Sequence, residues 1–298
     1  MSIDVFEDHR KLLTGVAYRI LGSVADAEDV VQEAWLRWAG VEHERVEDAR
    51  AYLIRVTSRL AVDRLRWARS RRESYVGPWL PEPIGTTPDA AERAELADTV
   101  ELALLVVLET LSPLERAVFV LREAFDLPFP EIAEVIGRSE AATRQLAKRA
   151  RDHVHDRSRR FDADRGRRRD ITARFLEAAA GGDLDGLIAL LAQEVTLVGD
   201  GGGKARAPLR VLVGQDKVAR FLASVGRPGE MDKFMASVGA QPQAELAMAV
   251  TELNGAPAAV LSAAGRVVTV VSLAISDGKI DTIYLIANPD KLGHLRPA

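Results

Sequence analysis

PEIAEVIGRSEAATRQLAKRARDHV, Pro130–Val154, reads as two short helices joined by a tight turn. Pro130 suits a first helical position, where a missing N–H costs nothing. Ile132, Ala133 and Ile136 give the first helix its apolar side. Gly137 stands where a left-handed residue closes a helix, and Ser139 where an N-cap opens the next. In the second helix Ala142, Leu146, Ala150 and Val154 recur every four residues and are expected to face inward. Glu140, Thr143, Arg144, Lys148 and Arg151 then make the opposite face. A helix apolar behind and cationic in front is what a helix-turn-helix lays in the DNA major groove. Cations attract phosphate, and Arg, Lys, Thr and Gln can meet base edges. A merely solvated basic face would look the same in this window, so both readings stay open here.

Composition narrows the choice. A chain of 298 residues is long for one compact domain, and its 47% hydrophobic content is ordinary for a folded protein. It has no cysteine, which excludes disulfides, thiol catalysis and cysteine metal sites. MSIDVFEDHR lacks the basic-then-apolar order of a signal peptide, and runs such as Leu102–Leu108 are too short to span a bilayer. No membrane contact and a cytoplasmic location are therefore expected. The net charge of −4 hides a strong asymmetry. Arg50–Arg72 holds eight basic residues and one acidic, and Arg138–Arg169 holds twelve and five. From Asp170 onward the count is twelve basic against fourteen acidic. Local basic patches, rather than the total, set the field a phosphate backbone meets.

Residues 4–76 read as an all-helical unit. Phe6–Leu21 has helical period, and Ser23-Val-Ala-Asp26 has the form of a capping box. The next helix sets Ala27, Val30, Val31, Ala34, Trp35 and Trp38 on one stripe. Asp26, Asp29, Gln32 and Glu33 lie on the other side. Those acids fit either simple capping or a docking face for a basic partner. In Ala49–Arg72, Leu53, Val56, Leu60 and Leu65 are expected inward. Arg55, Arg59, Asp63, Arg64, Arg66 and Trp67 then point outward or sideways. Cations with an interleaved ring suit single-stranded nucleic acid, unless Trp67 belongs to the core. Pro78, Pro81, Pro83 and Pro88 mark residues 77–95 as a linker, and its Trp79-Leu80 pair is too apolar to leave in water. A long apolar helix is expected from Leu96 to Leu111, and Ser112-Pro113 opens another.

DAEDVVQEAWLRW, then VTSRLAVDRLRWARSRR, then LSPLERAVFVLREAFDLPFPEIAEVIGRSEAATRQLAKRAR, in that order, resembles the bacterial sigma factors of the extracytoplasmic-function group. Residues 4–76 resemble region 2 and residues 96–157 resemble region 4. The resemblance implies that Asp26, Asp29, Gln32 and Glu33 dock on core RNA polymerase. It implies that Arg55, Ser58, Arg59, Asp63, Arg64 and Trp67 meet melted −10 promoter DNA. It also implies that Arg138, Ser139, Glu140, Thr143, Arg144, Gln145, Lys148 and Arg149 read the −35 element. At Arg59 family members often carry asparagine, so the −10 base preference is not carried over.

From Ile171 the pattern changes. Helices Ile171–Ala180 and Asp183–Leu191 come first, then a strand Glu194–Val198, a turn at Asp200-Gly-Gly-Gly203, and Lys204–Ala207 as its expected return. After the amphipathic helix Gln215–Val225 come four strands: Glu245–Leu253, Pro257–Ala263, Arg266–Ile275 and Lys279–Ile286. Asn254-Gly255 and Asp277-Gly278 are strong hairpin turns. The expected architecture is multidomain: two all-α units, then an α+β cone with a curled antiparallel sheet over 168–298. This half resembles the SnoaL-like members of the nuclear-transport-factor-2 superfamily. The whole chain resembles the sigma-factor subgroup that carries such an extension, in which regulation in cis is implied.

Three segments carry that closer likeness: Trp79-Leu80-Pro81-Glu-Pro83, Asp200-Gly201-Gly202-Gly203-Lys204 and Asn288-Pro289-Asp290-Lys-Leu292. They are expected to form contacts between domains. Catalysis in the cone is not expected, because it offers one histidine, His294, and one tyrosine, Tyr284. Asp200 and Asp216 have turn and capping uses, so no cofactor or metal is expected. Docking, or sensing of an unidentified small molecule, is the expected role. The alternatives are a helix-turn-helix regulator with an effector-binding cone, or an isomerase-like enzyme tethered to DNA.

Overall fold

The computed structural model describes residues 2–85, 101–158, 165–225, 227, 229–241 and 244–297. The chain divides into two compact units. One holds 1–73, 88–100 and 104–158, and the other holds 74–87, 101–103 and 159–298.

In the first unit, helix α1 (Ser2–Leu21) ends at Gly22, whose positive φ and N–H bond to the Tyr18 carbonyl stop it. Helices α2 (Val24–Ala39) and α3 (Ala49–Arg72) follow, capped by the side chains of Ser23 and Asp48. Their buried residues repeat every three or four positions: Leu13, Val16, Ala17 and Ile20; Ala27, Val30, Val31, Ala34 and Trp38; Leu53, Thr57, Leu60, Ala61 and Leu65. Those stripes make the three-helix core. Val56 and Trp35, both expected inward, are only half-buried.

The later helices are α4 (Leu102–Glu109), α5 (Pro113–Phe119), α6 (Phe129–Ile136) and α7 (Glu140–Ser158). The expected start of α4 at Leu96 lies outside the described residues. A full capping box, Ser112 with Glu115, opens α5, and a π turn at Val120–Ala124 ends its line. Pro130 sits one residue inside α6, which starts at Phe129. Gly137 closes α6 in the left-handed region at φ 64°. The Ser139 hydroxyl accepts from the Ala142 N–H and opens α7.

The second unit begins with α8 (Arg165–Gly181) and α9 (Leu184–Leu190). Strand β1 (Leu191–Asp200) and a two-residue β2 (Leu212–Val213) precede α10 (Gln215–Val225) and α11 (Glu230–Ser237). Strands β3 (Leu246–Leu253), β4 (Ala256–Ala263), β5 (Arg266–Ser276) and β6 (Lys279–Ile286) complete one sheet, in the order β2-β1-β6-β5-β4-β3. Helices come first and the sheet after, the order expected from the sequence. Ile171 and Phe175 of α8, Leu187 of α9, and Val218 and Leu222 of α10 pack on Val195, Leu197, Ile275, Ile280 and Ile283.

Two expectations change here. Lys204–Ala207 is not a strand, and β1 takes its antiparallel partner from Leu212–Val213 instead. The sheet is mixed, because β1 pairs with β6 in parallel, with Thr196 opposite Thr282 and Asp200 opposite Ile286. Register breaks interrupt three of the pairings, and such irregularities bend the strands that carry them. Parallel pairing has a local consequence: β1 and β6 end at the same edge of the sheet. The Asp200 carbonyl accepts from the Ala287 and Asn288 N–H groups at 2.8 and 3.0 Å. The glycine turn after β1 and the Asn288 segment after β6 are thereby brought side by side.

Candidate functional site

The first candidate surface is the helix-turn-helix. Arg138, Glu140, Arg144, Gln145, Lys148 and Arg149 of the sequence-derived set lie exposed along one side of α7 and its approach. Arg144 is steadied by Glu140 at 2.5 Å and by the Phe129 ring, 4.5 Å from its guanidinium carbon. Arg149 reaches Glu115 at 3.4 Å. Thr143 is a correction. It is fully buried, and its hydroxyl donates to the Ser139 carbonyl at 3.0 Å. A threonine whose hydroxyl bonds back one turn can enter an apolar face, so the buried stripe is Thr143, Ala147, Ala150 and Val154. Ala142 and Leu146 flank it, half-buried. If Arg144 reads a base edge, Arg144→Ala is expected to cost about 1–3 kcal/mol at particular −35 positions. Gel shifts on a panel of single-base −35 variants, with core polymerase present, measure it. A uniform loss across the panel would make Arg144 a phosphate contact.

The second surface is α3 with α2. Trp67 is 53% exposed, so it is not core, and the guanidinium carbons of Arg64 and Arg71 lie 5.6 and 4.6 Å from its ring centroid. Arg64 also bridges to the acidic face, donating to Asp26 at 2.8 Å and Asp29 at 2.7 Å. Asp26 therefore leaves the capping box half-made: Ser23 accepts from the Asp26 N–H, while the Asp26 carboxylate turns to Arg64. Gln32 is exposed and Glu33 pairs with Arg37 at 2.8 Å. Asp63 pairs with Arg66. Ser58 is the second correction, since it is fully buried and presents nothing to a ligand in this arrangement. Arg55 and Arg59 are engaged by α6: Arg55 pairs with the Glu134 carboxylate at 2.9 Å and Arg59 donates to the Glu134 carbonyl at 3.0 Å. The helix-turn-helix thus contacts two of the cations assigned to the −10 element, both of which stay exposed.

The third surface is the linker with the cone, both in the second unit. Residues 80–84 are all buried, and an irregular buried segment must find partners for its backbone groups. Asp200, fully buried, supplies one. Its carboxylate accepts from the Leu80 N–H at 2.8 Å, the Tyr75 hydroxyl at 2.5 Å and the Lys291 ammonium at 2.7 Å. Lys291 also donates to the Leu80 carbonyl and stands 3.9 Å from the Trp79 ring centroid, a cation–π geometry worth about 0.5–2 kcal/mol. Asn288 donates to the Tyr75 hydroxyl at 2.8 Å. Burial and the Asp200 charge together push Tyr75 above its ordinary range, so it stays a neutral donor. Farther along, Asn254 at the β3–β4 turn accepts from the Ile84 N–H and donates its own N–H to the Ile84 carbonyl. His294 meets the Pro83 carbonyl at 2.7 Å.

The glycine run is explained by this packing. At Gly202, φ is 60° and a Cβ would lie 2.3 Å from the Asn288 amide nitrogen and 3.0 Å from the Tyr75 hydroxyl. At Gly201 a Cβ would strike the Ala205 carbonyl at 2.1 Å. Lys204 and Asp290 pair across the top at 2.6 Å, more than half exposed. Of the sequence-derived set, Trp79, Leu80, Asp200, Gly202 and Asn288 meet here, while Pro81 is buried in the linker and Pro289 opens a short 3₁₀ turn. Sequence reasoning missed Tyr75, Lys291 and Asn254. Lys291 lay inside a quoted segment, and a lysine between Asp and Leu carries no periodic sign of burial.

The titratable groups that the sequence singled out in the cone have structural surroundings. Asp200 and His294 hold the linker, Asp216 pairs with Arg220, and burial pushes Tyr284 up to about 12. Among the described residues no three His, Asp or Glu cluster to hold a metal.

Comparison with known proteins agrees with this geometry. Residues 5–71 match the family model for sigma-70 region 2, and residues 101–154 match that for sigma-70 region 4. The chain is 41% identical over 295 residues to the ECF RNA polymerase sigma factor SigJ of Mycobacterium tuberculosis, covering 98% of this chain and 93% of that protein. It is 35% identical over 292 residues to a probable ECF RNA polymerase sigma factor, SigI, of the same species, covering 97% and 93%. The crystal structure of the M. tuberculosis SigJ protein superposes with a TM-score of 0.74 at 40% identity, covering 97% of each chain.

Proposed function

The chain belongs to the extracytoplasmic-function sigma factors, and from that premise we propose that it recruits core RNA polymerase to promoters under restraint by its own C-terminal domain. The observation that carries the restraint is the burial of the Trp79-Leu80 linker against Asp200 and Lys291. That linker joins region 2 to region 4 in sequence. Gripping it biases how the two can be arranged. A bias of this kind shifts a population between arrangements rather than abolishing one.

The first unit supports a closed state. Promoter −10 and −35 elements lie about 25 base pairs apart, which is roughly 80 Å at 3.4 Å per step. Arg55 and Arg59 of α3 touch Glu134 of α6 directly. Arg55 and Arg59 are held against the helix that precedes α7, an arrangement that does not span that distance, so the halves are expected to separate on a promoter. The cone acts as a docking domain rather than an enzyme, which is supported by the engagement of Asp200, Asp216 and His294 in structural bonds. No described helix is long and apolar enough to cross a membrane, and the work is assigned to the cytoplasm, where polymerase is met.

Run-off transcription with purified core polymerase tests the restraint, comparing the full chain with a truncation ending at Arg165. More transcript after truncation is the expected result. Equal transcript removes the regulatory reading, and less makes the cone part of the working factor. For the polymerase face, Asp29→Lys with Glu33→Lys is expected to lower retention on core polymerase at least roughly tenfold, since like charges facing a basic partner are strongly unfavourable. Unchanged retention in a pull-down would return those acids to helix capping and to the Arg64 bridge.

A further inference from the structure

We propose that the C-terminal tail and the start of β5 enclose a binding site for a small organic carboxylate with an apolar body. A cavity of about 280 Å³ lies there, walled by Val238, Val267, Leu292 and Leu295, with Arg266 and Arg296 also in its lining. Its volume is at the low end for ligand sites, which sets the occupant's size at a short chain or a single ring. Among the described residues its lining holds two guanidiniums and no carboxylate. That imbalance selects an anion, and the aliphatic wall selects an apolar body behind it. Both arginines are exposed, and Arg266 is oriented by a bond to the Gly239 carbonyl at 3.3 Å.

The tail that walls the cavity also holds the linker. Leu292 and Leu295 face the cavity, while Lys291 grips Asp200 and Leu80, and His294 meets the Pro83 carbonyl. A ligand that moves Leu292 and Leu295 therefore moves the neighbouring residues that carry the linker. This coupling rests on the restraint proposed above; the binding site does not.

The test uses the full chain, methyl-labelled at Val and Leu and carrying fluorotryptophan, titrated with octanoate, octanol and acetate. Octanoate is expected to give saturable shifts at the Val267, Leu292 and Leu295 methyls. Octanol and acetate should each bind at least about tenfold more weakly, since each lacks one half of the recognition. Arg266→Gln and Arg296→Gln, exposed changes that leave the fold intact, should each weaken octanoate about fivefold. Absence of saturable shifts, octanol binding as well as octanoate, or indifference to both variants overturns the site. The Trp79 fluorine signal, assigned with Trp79→Phe, is expected to move while that of Trp67 does not. Methyl shifts with an unmoved Trp79 would retain the site and overturn its coupling to the linker. Unchanged transcription on truncation would separately remove the restraint reading.

Discussion

Replacing Asp200 by Ala in the full chain is expected to free the linker and to raise transcription from the factor's own promoters. The carboxylate is fully buried and serves three donors at once: the Leu80 N–H, the Tyr75 hydroxyl and the Lys291 ammonium. Lys291 is 4% exposed, so loss of Asp200 takes its carboxylate partner from a buried cation that also meets the Leu80 carbonyl and the Tyr75 and Trp79 rings. Removing one partner of a buried ion pair costs about 3–5 kcal/mol. The Leu80 amide reports the loss directly, because its exchange with solvent is expected to accelerate at least roughly a hundredfold as the segment opens locally. Asp200→Asn should rescue little. An amide offers one acceptor oxygen, and its NH₂ would face groups that are themselves donors.

Lys204→Ala is the matched control, four residues away in the same segment. Its pair with Asp290 is 56% and 61% exposed, and exposed pairs are worth about 0–1 kcal/mol. If Lys204→Ala freed Leu80 as much as Asp200→Ala, the buried cluster would not be what holds the linker. If Asp200→Ala left Leu80 exchange and promoter output unchanged, the restraint reading would fail with it.

What the sequence revealed was what neighbours in sequence decide. Gly137 and Ser139 mark the turn between α6 and α7 because a left-handed stop and an N-cap act within one helical turn. Asn254-Gly255 and Asp277-Gly278 mark hairpins because both residues of each pair take positive φ. A third such turn, Ala264-Gly265, went unremarked because alanine seldom accepts that geometry. The parallel pairing of β1 with β6 was not legible, since the strands lie some eighty residues apart and either direction would satisfy the same alternation. Thr143 was misplaced because its hydroxyl is satisfied by its own helix, which no polarity pattern records. The linker cluster was half legible. An exposed Trp-Leu pair is implausible on composition, yet nothing in the chain near Asp200 announces Tyr75, a hundred and twenty-five residues earlier, as its partner.

The closed pairing of region 2 with region 4 is expected to depend on one carboxylate, Glu109 of α4. One oxygen takes Arg72 of α3 and the other takes Arg116 of α5. Arg116 also reaches across the pairing to the Arg19 carbonyl, while Arg72 holds the Leu21 carbonyl within region 2, each at 3.1 Å. Arg69 donates to the carbonyls of Glu109 and Leu111. Cations outnumber the acid: Arg116 is 1% exposed with one terminal nitrogen unpartnered, and Arg19, buried against the Phe125 ring, has an unpartnered Nε. Burial holds both Arg19 and Arg72 below the ordinary arginine range. Glu109→Gln keeps the shape and removes the carboxylate charge that Arg72 and Arg116 share. A loss of about 3–5 kcal/mol is expected, seen as a lower melting temperature for the first unit and a larger radius in small-angle scattering. The companion variant separates charge from packing. Glu109→Leu with Arg72→Met and Arg116→Met replaces the buried triad by apolar side chains, and such replacements are often neutral or stabilising. It should therefore recover most of the melting temperature that Glu109→Gln loses. If Glu109→Gln melts with the parent and keeps its radius, the buried cluster does not hold the halves together, and the contacts of Arg55 and Arg59 with Glu134 must do so.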